Sequence, residues 1–205
     1  MNVDIWLAYL ATAIVFSLAP GSGTVNSISN GMTYGFRKSL ASIMGLQVGL
    51  SFHIILVGVG LGALVAQSAT AFTVIKWIGV IYLIGLGIQK WREQAALQVN
   101  TDQAPVSGQR LFRQAVLVNL TNPKSIVFLV ALFPQFIQPD APQLPQLLIL
   151  GITTVVVDMC VMLGYVTLAS RLAGYIRSPR MMGALNRVFG SMFIGCGALL
   201  ASARA

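Results

Sequence analysis

A chain of 205 residues, 56% hydrophobic and only 9% charged, carries more apolar surface than a soluble domain of that size can bury. Its formal net charge is +8, but the basic residues lie in short segments between apolar runs, which argues against a nucleic-acid-binding patch. Length and composition therefore predict a single integral membrane unit in contact with lipid, rather than a soluble enzyme or a nucleic-acid-binding protein.

Six apolar runs are long enough to cross a bilayer as helices, which takes roughly 20 residues each. A polar segment at about 93–113 separates the first three runs, in residues 1–92, from the last three, in residues 114–205. The sequence thus predicts an all-α fold with six transmembrane helices. In chain order the runs cover Ile5–Asn26, Ser39–Val65, Phe72–Trp91, Ala115–Ile137, Gln146–Leu168 and Ala184–Ala201.

Basic residues occur in alternate connections between these runs, and such connections stay on the cytoplasmic side of a membrane. Both termini and the connection that contains Asp140 should then face the opposite, outer side of the membrane. Three spans in each half give the halves opposite orientations, which predicts a 3+3 inverted repeat. The basic residues concerned are Arg37, Lys38, Lys90, Arg92, Arg110, Arg113, Arg171, Arg177, Arg180 and Arg187.

The first run contains the stretch SLAPGSG at residues 17–23, whose proline and glycines disfavour a continuous helix. Inside a membrane, the backbone groups freed by a break are tolerated only where they line a cavity or are buried in protein. A substrate site and a simple proline kink explain this stretch equally well. The candidate substrate-binding residues are Pro20, Gly21, Ser22, Gly23 and Asn26.

The second run contains a GxxxG pattern at Gly45 and Gly49, and such small residues let helix backbones approach closely in lipid. We interpret these glycines as packing residues without a role in binding.

The fourth run contains the stretch NLTNPKS at residues 119–125. Asn122 and Pro123 are typical of the cap and first residue of a helix, whose free N–H groups, with the adjacent Lys124, would attract a carboxylate. Asn119 would lie at the same break. The alternative is an ordinary capped helix at the interface, with Lys124 reaching the lipid headgroups. A break in the first span of each half favours a binding site.

Asp158 lies near the middle of the fifth run, where an ionisable group is costly and needs a reason. It could stay neutral or pair with Lys124 or a bound amine, as a proton-coupling residue would, or it could make a structural hydrogen bond. His53, in the second run, is a weaker candidate for carrying protons, because a lone histidine there is often only hydrogen-bonded between helices. Gln47 could line the same cavity.

The chemistry of soluble enzymes is largely missing from the sequence. It has no phosphate-binding GxxxxGK[ST] loop, no metal-ligand cluster and no plausible Ser-His-Asp set, so we expect no cofactor, no metal site and no catalytic residue. Cys160 and Cys196 stand alone, and we predict that both are small buried side chains rather than a thiol pair for electron transfer. The energy for transport should therefore come from a gradient.

Four stretches together resemble the LysE/Rht family of bacterial amino-acid exporters. They are SLAPGSG, ASIMGLQVGLSFHIILVGVGLG (41–62), LVNLTNPKSIVFLVALFPQF (117–136) and GALLASAR (197–204). Many members carry a second proline where this chain has Ser22, but the homoserine-exporting subgroup resembles this chain in having serine there.

The resemblance implies an inner-membrane carrier that exports homoserine or its lactone while protons enter in exchange. Threonine and similar small neutral amino acids are further candidate substrates. Its partners would be the substrate, protons and lipid. The sequence does not decide between a monomer and a homo-oligomer. A divalent-cation exporter and a passive channel of the same superfamily are the alternatives.

Overall fold

The computed structural model of the chain describes residues 1–19, 21–65, 69–92, 106–138 and 140–171, together with separate helical positions between 183 and 201. The regular structure of these residues is helical, in agreement with the predicted class. The helices with complete bounds are α1 (Val3–Leu18), α2 (Ser22–Val65), α3 (Ala69–Arg92), α4 (Gly108–Leu120), α5 (Pro123–Phe136) and α6 (Gln143–Arg171).

Helix α2 consists of two helical parts that meet at Gly35, whose φ of 75° and ψ of 176° are accessible essentially only to glycine. The hydroxyl of Ser39 donates to the Gly35 carbonyl oxygen at 2.8 Å, at the start of the second part. We call residues 22–34 the first part of α2 and residues 36–65 its second part.

The limits of the first predicted span are wrong in the structure. α1 ends at Leu18, and the following helix does not stop at Asn26 but runs on to residue 34 before the turn at Gly35. Polar residues such as Asn30 extend this helix because they find hydrogen-bond partners on neighbouring helix turns. Hydropathy alone places the end of a helix too early when its continuation is polar but buried.

By length and composition, two of the described helices could each cross a membrane, over Ser22–Gly60 and Gln143–Arg171. Helices α4 and α5 would make a third crossing if they are one span that bends by 52°. Half of the sixth predicted run, Ala184–Ala201, lies outside the described residues. The count of six spans and the inverted repeat therefore stay predictions.

An aromatic cluster packs α1 against α5. Tyr9 lies edge-on to Phe133 and Phe136, with ring centroids 5.9 Å and 5.1 Å away, and Phe16 stacks on Phe128 at an interplanar angle of 18°. Edge-to-face contacts such as those of Tyr9 stabilise beyond the apolar area that they bury. The cluster therefore holds α1 and α5 together beside the helix breaks.

The GxxxG pattern of α2 forms a close packing contact, as the sequence predicts, and its partner in the structure is α4. A Cβ atom at Gly45 would collide with the carbonyl oxygen of Phe112, and one at Gly49 would lie 2.8 Å from the Cβ of Asn119. The second part of α2 and α4 thus approach almost backbone to backbone.

The prediction that Cys160 is buried is wrong, because this residue is exposed on the outer face of α6. In a membrane protein the outer faces of helices contact lipid and are as apolar as the core, so composition does not separate the two environments. Cys196 lies outside the described residues.

Candidate substrate site

Two helix breaks lie side by side in the structure. One separates α1, which ends at Leu18, from α2, which begins at Ser22, and the other separates α4, which ends at Leu120, from α5, which begins at Pro123. Both breaks occur where the sequence predicts them.

Side chains from the second half of the chain satisfy the carbonyl groups at the end of α1. The ammonium of Lys124 donates to the carbonyl oxygen of Ala19 at 2.5 Å, and the hydroxyl of Tyr165 donates to that of Leu18 at 2.6 Å. The last carbonyl groups of a helix have no partner within it, so a break at membrane depth needs such donors. These two hydrogen bonds therefore stabilise the backbone at the first break.

Lys124 is buried, with 7% of its surface exposed, and does not extend toward lipid headgroups. Its ammonium lies 4.2 Å from the centroid of the Phe16 ring, a favourable position for a cation over an aromatic face. A Cβ atom at Gly21 would lie 2.9 Å from the Cδ of Lys124, so the glycine leaves room for the side chain to cross the break.

A chain of side-chain hydrogen bonds organises the second break. Asn122 caps α5 by accepting from the backbone N–H of Lys124 at 3.2 Å, with Pro123 as the first helical residue, as the sequence predicts. The Asn122 amide donates to Ser125 at 3.0 Å, and Ser125 donates to the side-chain oxygen of Asn119 at 3.1 Å. Asn119 donates to the carbonyl oxygen of Leu46 at 2.6 Å, which ties the break to α2.

Asp158 of α6 reaches the same region. Its carboxyl accepts a hydrogen bond of 2.8 Å from the side-chain amide of Gln47, and it interacts electrostatically with Lys124. A half-buried acid and a buried base thus lie within one polar region between the two breaks, an arrangement that suits a zwitterion.

A cavity of about 20 Å³ lies at the centre of these residues. A water molecule needs roughly 10–15 Å³ on this measure, so the cavity has room for about one water and not for an amino acid. The structure is therefore a closed form, and substrate entry requires helices to separate. The lining side chains that matter here include Thr24, Asn119, Asn122, Lys124, Ser125 and Asp158.

The structure does not bring all of the candidate residues to this cavity. Gly21 and Gly23 line it, whereas the hydroxyl of Ser22 points to the carbonyl oxygen of Val118 at 3.5 Å, near the end of α4. Asn26 instead bonds to Ser42 and Asn30, on the cytoplasmic side of the cavity in the predicted topology. Pro20 lies outside the described residues.

His53 is buried but does not line the cavity, and its ring lies near the backbone of Leu120 at the end of α4.

Several residues of the site were missed from the sequence: Phe16, Ser17, Thr24, Ser125 and Tyr165. Hydroxyl and aromatic side chains are common in membrane helices, and nothing in their spacing separates those that face a cavity from those that face lipid. The signal that could have found Ser17, Thr24 and Ser125 is their position within a few residues of the two breaks.

Comparison with known proteins decides the family. The family model of the LysE type translocator matches residues 14–204. The chain belongs to the LysE family. A LysE-family chain is a membrane transporter and not an enzyme.

Full-length relatives agree with the LysE assignment. A homoserine/homoserine lactone efflux protein of Salmonella typhimurium is 57% identical over 100% of this chain and 99% of its own length. An uncharacterized membrane protein of Vibrio cholerae is 65% identical over 100% of both chains. A leucine efflux protein of Klebsiella pneumoniae is 29% identical over 96% of this chain and 94% of its own. No solved structure gives a significant match.

The relatives and the apolar helices together show that this LysE-family chain is a multi-pass bacterial membrane protein.

Proposed function

We propose that this protein exports homoserine and homoserine lactone across the bacterial inner membrane in exchange for protons. The observation that carries the proposal is the polar cavity between two helix breaks, lined by buried Lys124 and half-buried Asp158. The homoserine/homoserine lactone efflux protein that is 57% identical supports this choice of substrate. Threonine and other small neutral amino acids are further candidates.

Each end of a zwitterionic amino acid has a matching group in the cavity. The carboxylate would meet Lys124 and the N-terminal end of α5, where free N–H groups and the helix dipole favour an anion. The ammonium would meet Asp158. A lysine ammonium has three N–H donors, so it can hold the Ala19 carbonyl and a substrate carboxylate together.

Proton coupling follows if Asp158 binds either the substrate ammonium or a proton, but not both. A substrate that leaves toward the periplasm would then be replaced by a proton, which returns the empty carrier to the cytoplasmic side. The predicted orientation, with both termini periplasmic, and the division into repeats at 1–92 and 114–205 belong to this proposal.

A passive channel and a divalent-cation exporter are the competing functions. A channel would let homoserine equilibrate but would never accumulate it against a gradient. A cation exporter would need several hard oxygen or imidazole ligands around one ion, and the part of the chain that the structure describes contains no group of three or more His, Cys, Asp or Glu side chains placed for one.

The experiment is the efflux of labelled homoserine from preloaded proteoliposomes, with and without a proton gradient, for the wild type and Asp158→Asn. Asparagine keeps the size of the side chain and can still accept from Gln47, but it cannot bind and release a proton at neutral pH. The matched control is Asp140→Asn, because Asp140 is exposed in the connection before α6.

We expect the wild type to export homoserine only with a proton gradient. Asp158→Asn should abolish this export, and Asp140→Asn should retain it. If homoserine moves equally fast with and without a gradient in all three proteins, the antiport mechanism is wrong although the substrate is right. If the wild type moves no homoserine, the proposed substrate itself is wrong.

A further inference from the structure

Two buried hydroxyl groups near the cavity make no hydrogen bond of normal geometry. They belong to Ser17, which is completely buried and is the residue before the last of α1, and to Thr24, which is 2% exposed in the first turn of α2. Leaving such a group buried and unpaired costs about 1–3 kcal/mol. Groups of this kind in a native structure need an explanation, and a ligand is one.

The other threonines of the described helices show what is unusual about Thr24. Their hydroxyl groups commonly donate to the carbonyl oxygen four residues earlier, as in Thr12, Thr121, Thr154 and Thr167. Because α2 begins only at Ser22, Thr24 has no helical carbonyl at that distance. The helix break therefore leaves the Thr24 hydroxyl available, and Thr24 lines the cavity.

Ser17 stands on the other side of the same break and lies close to the carboxyl of Asp158. A serine inside a helix can bond to the preceding turn, but the Ser17 hydroxyl makes no hydrogen bond of normal geometry. The side-chain oxygen of Gln47, which donates its amide to Asp158, is a third buried atom without a partner. Thr24 thus lines the cavity, and the unpartnered atoms of Ser17 and Gln47 belong to side chains beside Asp158, which lines the same cavity.

We infer that Ser17 and Thr24 form a subsite that recognises the side-chain oxygen of the substrate and so selects hydroxylated amino acids over apolar ones of equal size. The inference rests on the proposed function, since it assigns a specificity to the same cavity. A hydroxyl can donate or accept, so these two residues suit the hydroxyl of homoserine and equally the ring oxygen of its lactone.

Norvaline is the discriminating probe, because it carries a methyl group where homoserine carries its hydroxyl. Binding it would leave the buried hydroxyls without partners, and sites built to bond a substrate hydroxyl reject such analogues strongly. The wild type should therefore export homoserine at least about tenfold faster than norvaline.

The variants are Thr24→Val and Ser17→Ala, which remove a hydroxyl with little change in shape. One ordinary hydrogen bond corresponds to roughly a three- to tenfold effect, so each variant should lower the ratio of homoserine to norvaline export by about that factor. Thr167→Val is the matched control, because its hydroxyl bonds within α6. Initial rates are measured in proteoliposomes, with the leak of protein-free vesicles subtracted.

The outcomes separate this inference from the proposed function. If the wild type exports neither amino acid, the proposed function is wrong and the subsite with it. If the wild type exports homoserine but Thr24→Val and Ser17→Ala leave the ratio unchanged, only the subsite is wrong. If the variants lower the export rates of homoserine and norvaline equally, the subsite is also wrong, since the hydroxyls would then bind the substrate ammonium or position Asp158.

Discussion

Lys124 brings a full positive charge into the interior of the bundle, where water cannot solvate it. Its bond to the Ala19 carbonyl, the Phe16 ring beside the ammonium and the nearby carboxyl of Asp158 together replace that solvation. This arrangement leaves the charge near a cavity that the proposed carboxylate would enter. Lys124 therefore supplies a hydrogen bond to the backbone at the first helix break. In the proposed function it also binds the substrate.

Lys124→Gln should reduce homoserine export about ten- to a hundredfold, the effect of losing a hydrogen bond to a charged group. Homoserine lactone has no free carboxylate, so its export should fall by a clearly smaller factor. The measurement compares the efflux of both labelled substrates from the same proteoliposomes. Lys38→Gln is the control, because Lys38 is exposed at the turn after Gly35. An equal loss for both substrates would contradict a role for Lys124 in carboxylate binding.

Some residues of the site could be predicted from the sequence, and others could not. Pro123 and Asn122 act locally, so their pattern is sufficient to predict a helix start. The partner of Lys124 lies 105 positions away in the chain, at Ala19, and no local rule predicts such a pairing. The hydroxyls of Ser17 and Thr24 become notable only when their partners are found to be missing.

At the scale of the helices, close packing of α2 on α4 holds the second break in place. Asn119 links the two helices twice, through its bond to the Leu46 carbonyl and through the contact of its Cβ with Gly49. Small residues at such an interface allow backbone approach that larger ones would prevent. The glycines of the second part of α2 are therefore not interchangeable.

Gly49→Ala should destabilise the protein by about 1–3 kcal/mol, because the added methyl meets the Cβ of Asn119 and the carbonyl oxygen of Val116, 3.1 Å away. For a chain of this size the apparent melting temperature in detergent should fall by roughly 2–10 °C. Gly60→Ala, in the same helix, is the control, since a Cβ there meets nothing within 4 Å. Equal melting temperatures for the two variants would show that the contact does not limit stability.

The helices were easier to predict than their ends. Long apolar runs predict α2 and α6, and the GxxxG pattern predicts close packing of α2, because these features reflect lipid and close approach directly; the partner helix, α4, is known only from the structure. A connection between Asn26 and Ser39 was predicted, but one glycine gives too little signal to place its turn at Gly35. The polar continuation of the first part of α2 depends on Asn30 and Ser42, which bond across that turn at 2.9 Å.

At the scale of the whole molecule, the small cavity requires a second conformation. The first part of α2 is the natural moving element, because helix breaks lie at both of its ends, before Ser22 and at Gly35. It contacts α6 through Gly31, which lies against Val166 and Ala169, and through the bond of Ser27 to Met162. Separation of these two helices would open the cavity toward the side of the turn at Gly35, which the predicted topology places in the cytoplasm.

A disulfide between the first part of α2 and α6 should therefore stop transport. A Cβ atom at Gly31 would lie 3.2 Å from the Cβ of Ala169, close to the roughly 3.5–4.5 Å that a disulfide requires. We expect Gly31→Cys with Ala169→Cys, in a background in which Cys160 and Cys196 are serine, to lose homoserine export on oxidation.

Reduction should restore export, which distinguishes a locked transporter from a damaged one. Each single cysteine variant, treated with the same oxidant, should keep its activity, because it can form no link between the two helices. Full export by the oxidised double variant would mean that these helices stay together throughout the cycle. The cavity would then have to open by movement of α4 and α5, whose bend of 52° provides the other hinge.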